Sequence, residues 1–231
     1  MLTADEWEII GLSLKVGSIA VLVMLPVAFA LAWLLARVSF RGKIFVDALV
    51  HLPLVLPPVV TGWMLLILFG NNGPVGQWLS DWFGLTFMFR WTGAALAAAV
   101  MAMPLMVRAI RLSLENVDLR LENAAKTLGA GRWHIFRTIT LPLAMPGILA
   151  GLVLGFARSL GEFGATITFV SNIPGETRTL PIAIYSALQL PDGDAMVMRL
   201  SIISVILSLA ALLVSELLVR RSQSGVRADV I

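Results

Sequence analysis

Asp118–Pro146 reads DLRLENAAKTLGAGRWHIFRTITLPLAMP, a basic and amphipathic stretch with a capping residue at one end and prolines at the other. Its neighbours make it decisive for the fold. Trp91–Leu112 before it and Pro146–Val170 after it are apolar runs, each matching the roughly 20 residues that a membrane span needs. The chain therefore leaves the bilayer at 118, orders itself, and returns. Asp118 is placed to accept the first free amides of a helix, and Gly129 to supply the left-handed residue that closes it. Between them Leu121, Ala124, Ala125 and Leu128 share one face, with Arg120, Glu122 and Lys126 polar. Glu122 and Lys126 stand at the favourable i,i+4 spacing. Gly129-Ala-Gly131 then turns into a second amphipathic piece bearing Trp133, Phe136 and Ile139, which Pro142 and Pro146 are expected to end.

Composition agrees with a membrane class. Apolar residues make up 58% of the 231 and charged residues 13%, with a mean hydropathy of +0.91. Soluble domains are about 45–50% apolar and about 25% charged. With no cysteine in the chain, disulfides, thiolate metal sites and cysteine nucleophiles are excluded. The start, MLTADEWE, lacks the basic region of a cleaved signal, so the first apolar segment is expected to remain as a span.

Five stretches are long enough to cross: Ile9–Ala36, Ile44–Phe69, Trp91–Leu112, Pro146–Val170 and Met198–Val219. The second contains Pro53, Pro57 and Pro58 and is read as one kinked span. Leu180–Leu190, fenced by Pro181 and Pro191, is too short to span and is expected at the interface or as a re-entrant piece. Charge sets the orientation. Arg37, Arg41, Lys43, Arg108, Arg111, Arg120, Lys126, Arg132, Arg137, Arg220, Arg221 and Arg227 fall on one side, against Arg90, Arg178 and Arg199 on the other. The positive-inside rule puts the larger group in the cytoplasm. The N-terminus is then outside, the C-terminus cytoplasmic, and loop 113–146 cytoplasmic. The net charge of +3 follows from this topology, and no nucleic-acid partner is expected.

The loop carries a family signature. Glu122, Ala124, Gly129, Ile139, Leu141 and Pro142 fall in the order and spacing of the "EAA" loop of ABC-importer permeases, with Asn123 where that family has alanine. Three longer runs extend the likeness over nearly the whole chain: His51–Trp63 (HLPLVLPPVVTGW), Met106–Trp133, and Ala157–Tyr185 (ARSLGEFGATITFVSNIPGETRTLPIAIY). On these residues the chain resembles the permeases of molybdate ABC transporters. Sulfate and thiosulfate permeases share the first two runs and the ARxLGEFG part, and Phe169–Tyr185 tips the resemblance to molybdate.

The resemblance implies an all-α, MetI-like polytopic fold of five transmembrane helices, one permease domain over residues 1–231. It implies ABC ATPase subunits on the cytoplasmic side and a periplasmic or extracellular molybdate-binding protein outside, all in a bacterial inner membrane. Five spans are thin for enclosing a route, so a homodimer is expected to form the pathway. Glu122, Ala124, Ala125, Leu128 and Gly129 are the residues expected to couple to the ATPase, Glu122 and Gly129 chiefly by shaping the helix. The alternative cargoes are sulfate, thiosulfate and tungstate.

Other readings of the residues stay open. The loop could be an amphipathic helix lying on lipid headgroups. Arg158 and Glu162, four apart within the fourth expected span, are either a mutually neutralising pair or part of an anion pathway or gate, since ionisable groups at membrane depth usually line an interior or a watery route. Gly147, Gly151, Gly155 and Ser159 recur every four residues, a ladder for close helix packing against this chain or a second copy. Arg108 and Arg111 are expected to snorkel to headgroups. Arg178, in a loop, is either solvated or meets an oxyanion or an acidic partner. Leu52-Pro-Leu-x-x-Pro57 and Leu141-Pro-Leu-x-x-Pro146 share one punctuation.

No G-x-x-x-x-G-K-[ST] phosphate loop occurs, so ATP must be bound by another chain. His51 and His134 stand in no metal motif, no cofactor is expected, and the chain is read as a transport subunit and not an enzyme. An ion-coupled secondary transporter would favour acidic groups at mid-membrane, where only Glu162 qualifies. A membrane-embedded enzyme or scaffold lacks a polar catalytic cluster to support it.

Overall fold

Thr3 and Glu6 begin the first helix by a reciprocal cap. Thr3 Oγ1 accepts from the Glu6 amide at 3.3 Å, and Glu6 Oε2 from the Thr3 amide at 2.8 Å. From there α1 (Ala4–Arg37) runs 34 residues, about 51 Å at 1.5 Å per residue. The hydrocarbon core is only about 30 Å thick, so the helix overshoots it. Its excess is packed at the N-terminal end, where Ile9 and Ile10 meet Leu180, Ala183 and Leu200. There Ser13 Oγ accepts from the Leu180 amide at 2.7 Å, and Arg199 Nε donates to the buried Glu6 at 2.8 Å.

The computed structural model describes residues 2–228, with side chains through Val214 and at Leu217. Val219, Arg220, Arg221 and Arg227, used above to bound the last span and to orient the chain, lie outside the residues whose side chains are described. Among the described residues there is no strand, and the fold is all-α.

After α1 come α2 (Lys43–Val55) and α3 (Pro58–Phe69), which meet at 115°. One kinked span over Ile44–Phe69 is thus corrected to two helices. Consecutive prolines fix φ and remove two amides in a row, so the helix ends where one proline would only kink it. A short amphipathic helix, α4 (Pro74–Phe83), follows with Trp78, Trp82 and Phe83 exposed.

The centre is α5 (Trp91–Glu115), whose Ala94, Ala95, Ala97, Ala98, Ala99 and Ala102 are all buried. Small side chains let α1 and α8 close on its two flanks. Beyond α5 lie α6 (Leu119–Thr127), α7 (Arg132–Ile135), a π-helical segment (Phe136–Thr140) and α8 (Leu141–Leu160). The last three form one continuous run, Arg132–Leu160, so Pro142 and Pro146 do not end the second amphipathic piece. The amide of Leu141 reaches back five residues to the Phe136 carbonyl. That wider turn falls where the ring of Pro142 would clash with the carbonyl four residues earlier in an α-helix.

The fourth span also ends early. Gly161–Phe163 interrupt it, and α9 (Gly164–Val170) follows as a separate helix, where one helix through Val170 was expected. Then come α10 (Leu180–Ala187), a short helix packed on α1 and α11 as an interfacial piece would be, and α11 (Asp194–Ala228). Among the described residues four helices are long and apolar enough to cross a membrane, and the bent α2–α3 pair makes a fifth if it counts as one span.

The glycine ladder packs within this chain. Gly147 faces Ser113 and Ala109, Gly151 faces Met106 and Ile110, and Gly155 faces Met106 and Val21. A Cβ at Gly147 would lie 2.8 Å from the Ala109 carbonyl oxygen, a backbone atom that cannot swing aside. Gly147→Val is therefore expected to cost about 2 kcal/mol or more, read as a lower Tm in detergent. Gly11→Ala, in α1 with nothing within 4 Å, should leave Tm unchanged or raise it.

Candidate functional site

The α6 segment is built at both ends and bare between them. Asp118 accepts from the Arg120 amide at 2.8 Å. At the far end Gly129 takes φ +85°. Its amide reaches the Lys126 carbonyl and that of Ala130 reaches Ala125, each at 3.0 Å, which is a Schellman closure. No residue of α6 is buried. Leu119 and Leu121 are exposed, and Leu128 is 88% exposed. A helix this short, without a buried face, does not persist on propensity alone, so its caps and its tether must hold it.

The tether is Glu122. Its Oε1 accepts from Arg37 Nη2 and from Thr140 Oγ1, each at 2.9 Å, with side chains only 13% exposed for Arg37 and 14% for Glu122. The expected pairing of Glu122 with Lys126 does not form, and Lys126 reaches Asn123 at 3.4 Å instead. A lysine on the solvent side cannot compete with a guanidinium already largely withdrawn from water. Beside this junction the π segment packs edge to face on α1. Phe136 lies 5.4 Å from Trp33 and 6.1 Å from Phe29 between ring centroids, and 5.4 Å from the exposed Trp133. The five expected residues thus divide: Leu128 and Ala124 exposed, Ala125 half-buried, Glu122 turned inward, Gly129 shaping the end.

A second locus lies where two helices break. The α2–α3 break and the α8–α9 break pack together: a Cβ at Gly62 would sit 2.6 Å from the Ala165 carbonyl oxygen, and one at Gly164 2.8 Å from Pro58 Cβ. Glu162, its side chain only 2% exposed, lies in the second break. One carboxylate oxygen accepts from the Ala165 amide at 2.8 Å, capping α9, and the other meets Arg158 Nη2 at 2.7 Å. The expected pair therefore exists, but across a helix end. Capping α9 is what the in-helix reading missed, and the Gly161-Glu-Phe-Gly164 punctuation was the signal for it. Arg158 is 26% exposed.

Arg111 is paired at the C-terminal end of α5. It bridges Asp47 at 3.0 Å and Glu115 at 2.8 Å, next to His51 and the exposed Arg108. Arg178 is held by Asn172 Oδ1 at 2.9 Å. Among the described residues no group of three or more His, Asp or Glu could hold a metal ion.

The family model for "Binding-protein-dependent transport system inner membrane component" matches residues 24–224. The chain belongs to that family. Over 223 residues it is 61% identical to the "Molybdenum transport system permease protein ModB" of Escherichia coli K12, covering 96% of this chain and 97% of that protein. It is 40% identical over 197 residues to the "Sulfate transport system permease protein CysT" of the same organism, covering 85% and 70%. Among solved structures, that of a bacterial alginate ABC transporter with its pentasaccharide-bound periplasmic protein superposes with a TM-score of 0.73 at 20% identity, over 95% of this chain and 80% of that one. Inward-facing MetNI methionine ABC transporter gives 0.68 at 17%, over 94% of each chain. At those identities the likeness is one of fold, and it is the MetI-like fold expected above.

Within this membrane family the Arg158–Glu162 pair yields a direct test. Arg158→Ala strands a buried carboxylate, at a cost of about 2 kcal/mol. Arg158→Met with Glu162→Gln removes both charges and keeps a carbonyl oxygen for Ala165, and should recover most of the lost Tm.

Proposed function

We propose that this chain, one permease domain over residues 1–231, is the membrane subunit of an ATP-driven importer of molybdate. The observation that carries the transport mechanism is α6: capped at both ends, apolar outward at Leu119, Leu121 and Leu128, and covered by nothing among the described residues. An exposed apolar helix at the end of a membrane bundle fits a partner's groove. With no phosphate loop in this chain, the partner is the ABC ATPase. Leu128, Ala124 and Ala125 make the contact, while Glu122 and Gly129 hold the helix in shape.

Orientation follows from charge. Arg37, Arg41 and Lys43 at the end of α1 and start of α2, with Arg120, Lys126 and Arg132 around α6, favour the cytoplasm for that end. The N-terminus is then outside and the C-terminus inside. A binding protein delivers the oxyanion to the outer end, in keeping with the alginate transporter captured with its periplasmic protein. Exposed apolar side chains on α2, α3 and α11 face lipid and a second copy, and two copies enclose the route. Arg158, paired yet a quarter exposed at the break, borders that route and contributes to passage or gating. Molybdate is favoured over sulfate because the identity is 61% to the molybdenum permease against 40% to the sulfate one.

Two measurements check this reading. Leu128→Asp should abolish co-purification of the ATPase while the protein still inserts and melts normally, and retained co-purification would count against α6 as the docking surface. In uptake assays with the native binding protein, tungstate should compete with molybdate and sulfate should not; strong sulfate competition would reassign the cargo.

A further inference from the structure

Every side-chain hydrogen bond of α6 found among the described residues stays inside its own segment except those of Glu122. Asp118 holds Arg120, Lys126 holds Asn123, and Thr127 Oγ1 holds the Ala124 carbonyl. Glu122 alone reaches out, and it reaches two elements at once. Arg37 is the last residue of α1, and Thr140, only 1% exposed, is the last of the π segment leading into α8. With no fully buried residue on α6, its packing against α7 and the π segment is a weak route for a pull into the bundle. The side-chain linkage runs through one carboxylate oxygen.

We infer that Arg37 and Thr140 are positioning residues for transport, coupling α6 to α1 and α8 through Glu122 so that the three move as one body. This rests on the docking role proposed for α6. Three features fit a joint that transmits motion. Arg37 and Glu122 are largely withdrawn from water, which strengthens their attraction over that of an exposed pair. Trp33 and Phe136 meet edge to face beside them, with the Arg37 guanidinium 6.0 Å from the Trp33 ring, so the end of α1 and the π segment are already packed. The joint also meets α8 at its wide turn, where the intrahelical register changes and a helix is most easily re-set. Glu122 thus serves as an internal tie, and α1 is drawn into the stroke although it lies 85 residues away in sequence.

The test uses the permease reconstituted in proteoliposomes with its ATPase and binding protein, with molybdate uptake and ATP hydrolysis read on the same vesicles. Arg37→Glu and Glu122→Arg are each expected to lower molybdate moved per ATP about tenfold, the ratio being taken only over vesicles in which the ATPase is bound. The double variant R37E/E122R should return to within about threefold of the native ratio. Thr140→Val should lower the ratio in the same direction by less. If Arg37→Glu does not fold, Arg37→Gln carries the same comparison. Unchanged uptake per ATP in the folded single variants would overturn the inference. So would a double variant no better than either single one at equal Tm. Failure of the native chain to retain the ATPase would instead overturn the docking role beneath it.

Discussion

In hydrocarbon a backbone amide without a partner has no water to turn to, and this chain interrupts its helices at two places that satisfy that demand differently. At Leu56–Pro58 the prolines at 57 and 58 bring no amides to satisfy. At Gly161–Phe163 the freed amide of Ala165 is taken by the Glu162 carboxylate, and Arg158 balances its charge. The two breaks then pack on each other through Gly62 and Gly164. The polar groups at depth are where they are because the helices stop there. A pathway lined by irregular backbone is tolerated in a membrane only under such arrangements.

The same constraint explains the division of labour at the other end. In water α6 can leave its outer face uncovered, provided Asp118 and Gly129 close its ends. Its exposed leucines are then free for a partner, and its one inward carboxylate is free for the bundle. The alanine face of α5 does the complementary work, bringing α1 and α8 close enough that Arg37 and Thr140 reach the same oxygen. The uncovered apolar face of α6, its tether and the core are three consequences of where small, apolar and capping residues fall.

Much of this was legible in the sequence because it is local. Asp118 and Gly129 announce a helix by their own conformational preferences, and both are found in those roles. The all-α class and four of the five expected spans follow from composition and run length. What escaped depends on distance or on a subtle change of register. Nothing near Glu122 points to Arg37, whereas Lys126 at i+4 offers an obvious and incorrect partner. The shared Leu-Pro-Leu-x-x-Pro pattern ends a helix at 57 and runs through at 142–146. Pro58 follows the first, while a π turn relieves the second, and no spacing rule distinguishes them. Glu162 was read inside a helix because its surroundings are apolar, although the glycines at 161 and 164 mark the break.

We propose that ATP hydrolysis by a partner drives this membrane subunit, and molybdate uptake into proteoliposomes of defined contents decides it. Uptake is expected only when the chain, the ATPase with ATP on its own side, and the loaded binding protein on the other are all present. Uptake by the chain alone, driven by an ion gradient, would contradict it.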